Sequence, residues 1–255
     1  VALRTLQKWH GAGNDFLVEV IENGTAPWWN AERARSICQR ATGIGADGLL
    51  VATVGSEVSM TLFNADGSEA EMSGNGVRCL AAAVRHATNA QWDTLEVRTP
   101  AGPRTVHLEM GEYFGRGSVE MGEVTFGDTL EGTLGVAYVG NPHVVVRDDV
   151  QWSDSEREQL ASSWSRELGG ANVEFVSVRD RDHVSLRVIE RGVGWTLACG
   201  TGSCAVAAVL HREGLTSDDV VVENPGGALN VRLEGARVTL GGPVQFIANV
   251  EWLEA

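Results

Sequence analysis

"EMSGNGVRCLAAAV" spans Glu71–Val84, and "LACGTGSCAVAAVL" spans Leu197–Leu210. Each places a small residue able to carry a proton, Ser73 or Cys199, before a Gly-x-Gly and then opens an alanine-rich helical run. The two loops lie 126 residues apart in a chain of 255. Four further pairs align at nearly the same offset. "GNDFLV" from Gly13 faces "GNPHVV" from Gly140, and "WNAERARSIC" from Trp29 faces "WSDSEREQLA" from Trp152. "TPAGPRTVHL" from Thr99 faces "NPGGALNVRL" from Asn224. Asn64 and Glu190 each stand nine residues before the loop residue. Chance matching of glycine turns explains one such pair, not five in order. The chain reads as one unit written twice.

Each copy predicts a β-rich start with a Gly-Asn turn and then a helix. In the second copy that helix has a capping box, Ser153 with Glu156, and a stop at Gly169. Strands follow near Leu49–Val54 and Glu174–Val178, then strands ending at Asn64 and Glu190. Next come the loop and its helix, and finally hairpins with Gly/Pro turns. The fold class is α/β (α+β) in two pseudo-symmetric halves, residues 1–122 and 123–255, with the extreme C-terminus expected to pack on the first. Equivalent loops then face one cleft between the halves, a usual place for a small ligand.

Composition bounds the partners. Apolar residues make up 43%, enough for a real core, and the formal net charge of −14 opposes binding to nucleic acid or an anionic membrane surface. No apolar run is long enough to span a bilayer, and the N-terminus lacks a signal-peptide pattern. A cytoplasmic location is the expectation. Cys38, Cys79, Cys199 and Cys204 show neither CxxC nor metal-ligand spacing, so no metal is expected. Three of the four read as buried small apolar side chains. Cys199 is the exception. At a helix start, free N–H groups and the dipole predict a lowered thiol pKa and a cradle for a carboxylate. Two such loops facing one carbon give a two-base arrangement that inverts a centre next to a carboxylate. A rival reading takes "GTGSCA" with Glu223 as a dinucleotide site. The first copy breaks that pattern, with Cys79 in the third-glycine place, and "GVGWTLA" is too broken for a central parallel strand.

The chain resembles the PLP-independent diaminopimelate epimerases over essentially its whole length. The residues that carry the resemblance are "KWHGAGNDF", "FNADGSEAEMSGNGVRC", "GNPH" and "ERGVGWTLACGTGSCA". It implies cofactor-free interconversion of LL- and meso-2,6-diaminopimelate, a step toward lysine and cell-wall precursors. It also implies two catalytic cysteines, a homodimer, and halves each built as a helix wrapped by a curved mixed sheet. Carried over by motif, Cys199 and the Ser73 position form the acid/base pair, tuned by His143 and Glu190. Asn14, Asn64, Asn141 and Asn172 supply side-chain hydrogen bonds to substrate. Gly74, Asn75, Gly200 and Thr201 supply backbone N–H groups, and Glu190 with Arg191 recognises charged ends. Taken alone, the asparagines also fit turns, His143 fits a strand end and Arg191 fits a surface charge.

Three positions depart from the family pattern. Trp9 stands where a methionine is usual, and Gly48 where some members have a substrate-contacting glutamine. Ser73 stands where the first catalytic cysteine belongs. A serine hydroxyl is not ionised near neutral pH without an adjacent base. A helix dipole of up to about 2 kcal/mol shifts a pKa by little more than one unit. Four origins stay open at this point: an introduced Cys-to-Ser change, a natural slow variant, a relative using Cys199 as single base for elimination or isomerisation on another amino acid, and a silent amino-acid-binding homologue.

Overall fold

The computed structural model describes residues 2–148 and 152–254. The chain forms two compact units, Val1–Val119 with Pro243–Ala255, and Glu120–Gly242. The sequence put the divide after residue 122; the units part after Val119, inside a continuous strand where nothing in the composition changes.

In chain order the elements begin with β1 (Ala2–Gly11), β2 (Asn14–Glu22), α1 (Ala31–Cys38), β3 (Gly48–Val54), β4 (Val58–Asn64) and β5 (Glu69–Ala70). Then come α2 (Gly74–Thr88), β6 (Thr94–Thr99), β7 (Gly102–Met110) and β8 (Phe114–Glu123). The second set is β9 (Thr125–Phe126), β10 (Gly135–Val139), β11 (Asn141–Arg147), α3 (Asp154–Glu167), β12 (Asn172–Val178), β13 (His183–Glu190) and β14 (Gly194–Thr196). It ends with α4 (Gly200–Arg212), β15 (Asp219–Asn224), β16 (Gly227–Glu234) and β17 (Arg237–Glu254).

In the first unit β1 pairs antiparallel with β2, β2 parallel with β3, β3 antiparallel with β4, β4 parallel with β6, and β6 antiparallel with β7. The ladder continues through β8 to β17, and β17 returns antiparallel to β1, closing eight strands. The second unit repeats the same order and senses along β10, β11, β12, β13, β15 and β16, which then pairs with β17. The duplication read from the sequence is therefore a duplication of topology.

Helix α2 packs on β1, β2, β3, β6 and β7, and α4 on β10, β11, β12, β15 and β16. Every residue from Gly74 to Val84 is buried, and so are Gly200 and Gly202–Leu210. A helix buried all round needs apolar residues all round. The runs of Ala, Gly, Val and Cys also keep it thin enough to sit inside a curved sheet. Strands β3 and β12 lie between two helical layers, so both of their faces are buried. On β3, Leu49 and Val51 join the α1 cluster with Ile37. On β12, Val173 and Phe175 join the α3 cluster with Trp164. The alternate positions, Leu50 and Glu174, then face α2 and α4. The predicted Ser153–Glu156 capping box is formed at α3, and Gly169 takes φ 70° after its end. Among the described residues no helix is long and apolar enough to cross a membrane.

Candidate active site

The β1–β2 hairpin turns on Ala12 and Gly13, both with positive φ, and delivers Asn14 to the start of β2. Ser73 caps α2 in an extended conformation, φ −141°, and its Oγ accepts from the N–H of Gly76 at 3.0 Å. A Cβ at Gly76 would lie 3.0 Å from that of Ser73, a tight contact in which the neighbour would have to give way. Asn75 is buried; its Nδ2 donates to Asn14 Oδ1 at 3.3 Å, and its Oδ1 accepts from Arg78 Nη2 at 2.9 Å. Arg78, fully buried, also donates to the carbonyl of Gly74 at 3.1 Å. Asn14 Nδ2 donates to Asp47 at 2.8 Å, and Arg40 bridges Asp47 and Asp15. Burial opposes ionisation of Asp15, but the hydrogen bonds from Arg40 and Lys8 outweigh it and hold its carboxyl below the usual range. The first unit thus links Asn14, Asn75 and Gly74 through a polar chain, with Ser73 next to it at the cap of α2.

Asn64 ends β4 opposite Gly48 and donates to Ser68 Oγ at 3.0 Å. At Gly48 a Cβ would sit 2.8 Å from the carbonyl oxygen of Phe63 and 3.3 Å from the ring of Phe16. A side chain fits there only if one of them moves. Trp9 is fully buried, with its indole N–H on Gln7 at 2.8 Å and Phe246 edge-on. That departure is a matter of packing.

In the second unit Cys199 caps α4 with nearly the same backbone, φ −123°, and its Sγ accepts from the N–H of Gly202 at 3.3 Å. Thr201 Oγ1 is 3.5 Å from that sulfur and Asn172 Nδ2 is 3.8 Å away. Asn172 Oδ1 accepts from the backbone N–H of Arg191 at 2.9 Å, which ties the turn after β13 to the thiol. Glu190 ends β13; its Oε1 accepts from Thr196 Oγ1 at 2.5 Å, and its negative field reaches Cys199. His143 is fully buried, with Nε2 3.0 Å from Asn141 Oδ1. The unit therefore gathers Cys199, Gly200, Thr201, Asn141, His143, Asn172 and Glu190. Arg191 lies at the edge, its guanidinium 3.5 Å from the carbonyl of Gly170.

Sequence reasoning missed Glu174. This carboxylate is fully buried, its Oε1 is 2.7 Å from His143 Nδ1, and a Cβ on Gly202 would come within 2.7 Å of the same oxygen. The available signal was a charged residue inside "NVEFV", a strand buried on both faces. It also reverses an expectation. The Cys199 thiol is held well above its usual pKa, first by burial, then by the negative fields of Glu190 and Glu174. The bonds from Thr201 and from the Gly202 N–H, which favour the thiolate, do not overcome these. Burial raises Glu190 and Glu174 as well. Cys199 rests as a thiol, suited to giving a proton. Burial pushes Cys38 and Cys79 up to about 12, consistent with inert packing.

His143, Glu174 and Cys199 offer ligand-type atoms all within 4.8 Å of one another. The His143–Glu174 contact of 2.7 Å is a hydrogen-bond distance. Two atoms on one tetrahedral zinc, each about 2.0–2.1 Å from it, lie roughly 3.3 Å apart. The dinucleotide reading fails. Glu223 is ion-paired with Arg179 at 2.7 Å, and the strand before α4 is the short antiparallel β14.

Two lobes of one topology, each with a capped central helix, match the fold of known racemase and epimerase structures. A predicted epimerase from Pseudomonas aeruginosa superposes with a TM-score of 0.76 at 17% identity, covering 99% of this chain and 100% of that one. A hydroxyproline epimerase from Agrobacterium vitis, solved with trans-4-hydroxy-L-proline, gives 0.72 at 14%, covering 98% and 91%. In sequence, residues 6–127 and 135–247 match the family described as diaminopimelate epimerase. The diaminopimelate epimerase of Xanthomonas campestris pv. campestris is 36% identical over 96% of this chain and 95% of its own length. The chain belongs to the diaminopimelate epimerase family.

Proposed function

We propose that the chain is an isomerase that interconverts LL- and meso-2,6-diaminopimelate without a cofactor, by moving a proton between the two faces of one α-carbon. The observation that carries the reading is the pair of matched helix caps, Ser73 and Cys199, on topologically equivalent loops. The thiol of Cys199 delivers a proton to one face and leaves as thiolate. Glu190, whose field acts on that thiol, takes the proton when the step runs backwards. The bare N–H groups of Gly74, Asn75, Gly200 and Thr201 hold the reacting carboxylate and the charge that develops on it. Asn14, Asn64, Asn141 and Asn172 orient the amino-acid end, and Glu190 and Arg191 bind its charges.

In this reading the group that serves the other face is Ser73. Its hydroxyl receives one donor, the Gly76 N–H, which does little to make it a base. The chain is therefore slow, and Ser73→Cys supplies the missing acid/base group. The setting that suits a free Cys199 thiol is the reducing cytoplasm, and assembly as a homodimer belongs to the same reading. The test is chromatographic separation of LL- and meso-diaminopimelate after incubation with this chain and with Ser73→Cys, alongside trans-4-hydroxy-L-proline. Conversion of diaminopimelate by Ser73→Cys supports the assignment. Conversion of hydroxyproline alone would replace it with a racemase of a different amino acid.

A further inference from the structure

Cys199 faces two carboxyls. When it gives up its proton, the thiolate left behind stands beside Glu190 and Glu174, and both fields oppose it. The ring of His143 belongs to the same cluster, with a nitrogen, Cys199 Sγ and a Glu174 oxygen all within 4.8 Å of one another. Both ring nitrogens meet oxygen acceptors as the side chains stand: Glu174 Oε1 at 2.7 Å and Asn141 Oδ1 at 3.0 Å. With Nδ1–H donated to Glu174, the Nε2 side of the ring meets the Asn141 amide, so both ring nitrogens are held. Among the described residues Glu174 Oε2 is buried with no hydrogen-bond partner, so the side-chain contact of this carboxylate is with the histidine. A buried carboxylate is costly unless paired, and no core-packing need explains a glutamate where the equivalent strand carries Leu50.

We propose that Glu174 is a positioning residue for proton transfer at Cys199: its carboxylate holds the Nδ1–H of His143 and fixes the ring beside the sulfur as the thiolate forms. This rests on the epimerase reading for its consequence in turnover, but the Glu174–His143 bond can be tested without substrate. Cys199, from the start of α4, and Glu190, from the end of β13, are the titratable groups that face the pair; Asn141 and Asn172 are neutral.

The experiment compares the full chain with Glu174→Gln, which keeps a hydrogen-bond acceptor and removes the charge. The first readout is nitrogen-15 NMR of the histidine rings, with His143 identified by its loss in His143→Gln. Expected is a proton on Nδ1 at pH 7 in a charge-assisted bond, whose signal moves upfield in Glu174→Gln. The second readout is α-deuterium exchange in the Ser73→Cys background. There Glu174→Gln lowers kcat about tenfold or more and changes KM by less than about threefold. The limb of the kcat profile governed by the Glu174–His143 pair is displaced in Glu174→Gln, because the variant removes the titrating carboxyl of that pair. An unmoved Nδ1 signal overturns the proposal. So does a rate loss equal in Glu174→Gln and Glu174→Ala with no displacement of the pH profile. If Glu174→Gln does not fold, the unaltered chain decides: His143 protonated at Nε2 alone overturns the proposal. If the Nδ1 signal moves as expected while no form exchanges diaminopimelate, the Glu174–His143 bond stands and the epimerase reading falls.

Discussion

Phe16 occupies in the first unit the place that His143 occupies in the second. The register fixes the equivalence. Phe16 on β2 faces Gly48 on β3, and Gly48 faces Asn64 on β4. His143 on β11 faces Asn172 on β12, and the next pair, Val173 with Ile189, puts Asn172 level with Glu190. Two residues along from Gly48 and Asn172 are Leu50 and Glu174. Around the Ser73 loop stand Phe16, Leu50, Gly48 and Asn64; around the Cys199 loop stand His143, Glu174, Asn172 and Glu190. The caps have almost the same dihedrals and the same bond to the second glycine of the loop. What separates them is that no residue in the first group can take up a proton. Duplication conserved the cradle, while proton chemistry concentrated in one copy.

The largest expected effect removes the asymmetry at its centre. Ser73→Cys raises the rate of LL-to-meso conversion by about 10²–10⁴-fold, the usual worth of a positioned acid or base. Stopped-time chromatography measures it. In that background Cys199→Ser loses a similar factor, since it leaves the second loop in the condition of the first. The two-thiol form also gains a liability. If both loops act on one carbon, its sulfurs come within disulfide reach, so mild oxidant inactivates Ser73→Cys reversibly and leaves the activity of the parent chain unchanged.

A smaller effect concerns charge. Glu190→Gln removes one negative field from Cys199, which lowers the thiol pKa and increases the thiolate present at pH 7–8. Alkylation of Cys199, followed on its own peptide by mass spectrometry, therefore becomes faster at fixed pH. A slower reaction would mean that Glu190 acts mainly by taking the thiol proton. The smallest effect is on packing. Gly202→Ala drives a Cβ to 2.7 Å from Glu174 and 3.2 Å from the Cys199 sulfur, whereas Gly76→Ala meets Ser73 at 3.0 Å and the Phe16 ring at 3.4 Å. The first costs about 1–3 kcal/mol and the second less, read as a difference in Tm.

Much of this was legible before any coordinates. The repeat offsets showed the duplication, which the two units carry out as one strand order written twice. The Gly-x-Gly loops pointed to Ser73 and Cys199 because their signal is local: a cap, a bare glycine, a buried helix. Asn14 and Asn75 were named for binding, and the structure links them by a hydrogen bond. The thiol was misjudged for the opposite reason. Helix-start N–H groups are visible in sequence, but the carboxyls that outweigh them come from β12 and β13, 25 and 9 residues upstream. Glu174 was overlooked because a single glutamate in a strand normally faces solvent. Only the helical layers on both sides of β12 show that this one cannot.

The measurement that tests the asymmetry most directly is α-deuterium wash-in from D₂O, followed by NMR, with LL- and meso-diaminopimelate offered separately to the unaltered chain. The account predicts slow exchange from one isomer only, with retention, because Cys199 alone returns the proton to the face it came from. Ser73→Cys then exchanges both isomers with inversion. Rapid inversion of both isomers by the unaltered chain would contradict it, and would mean that Ser73 finds a base outside the positions equivalent to those around Cys199.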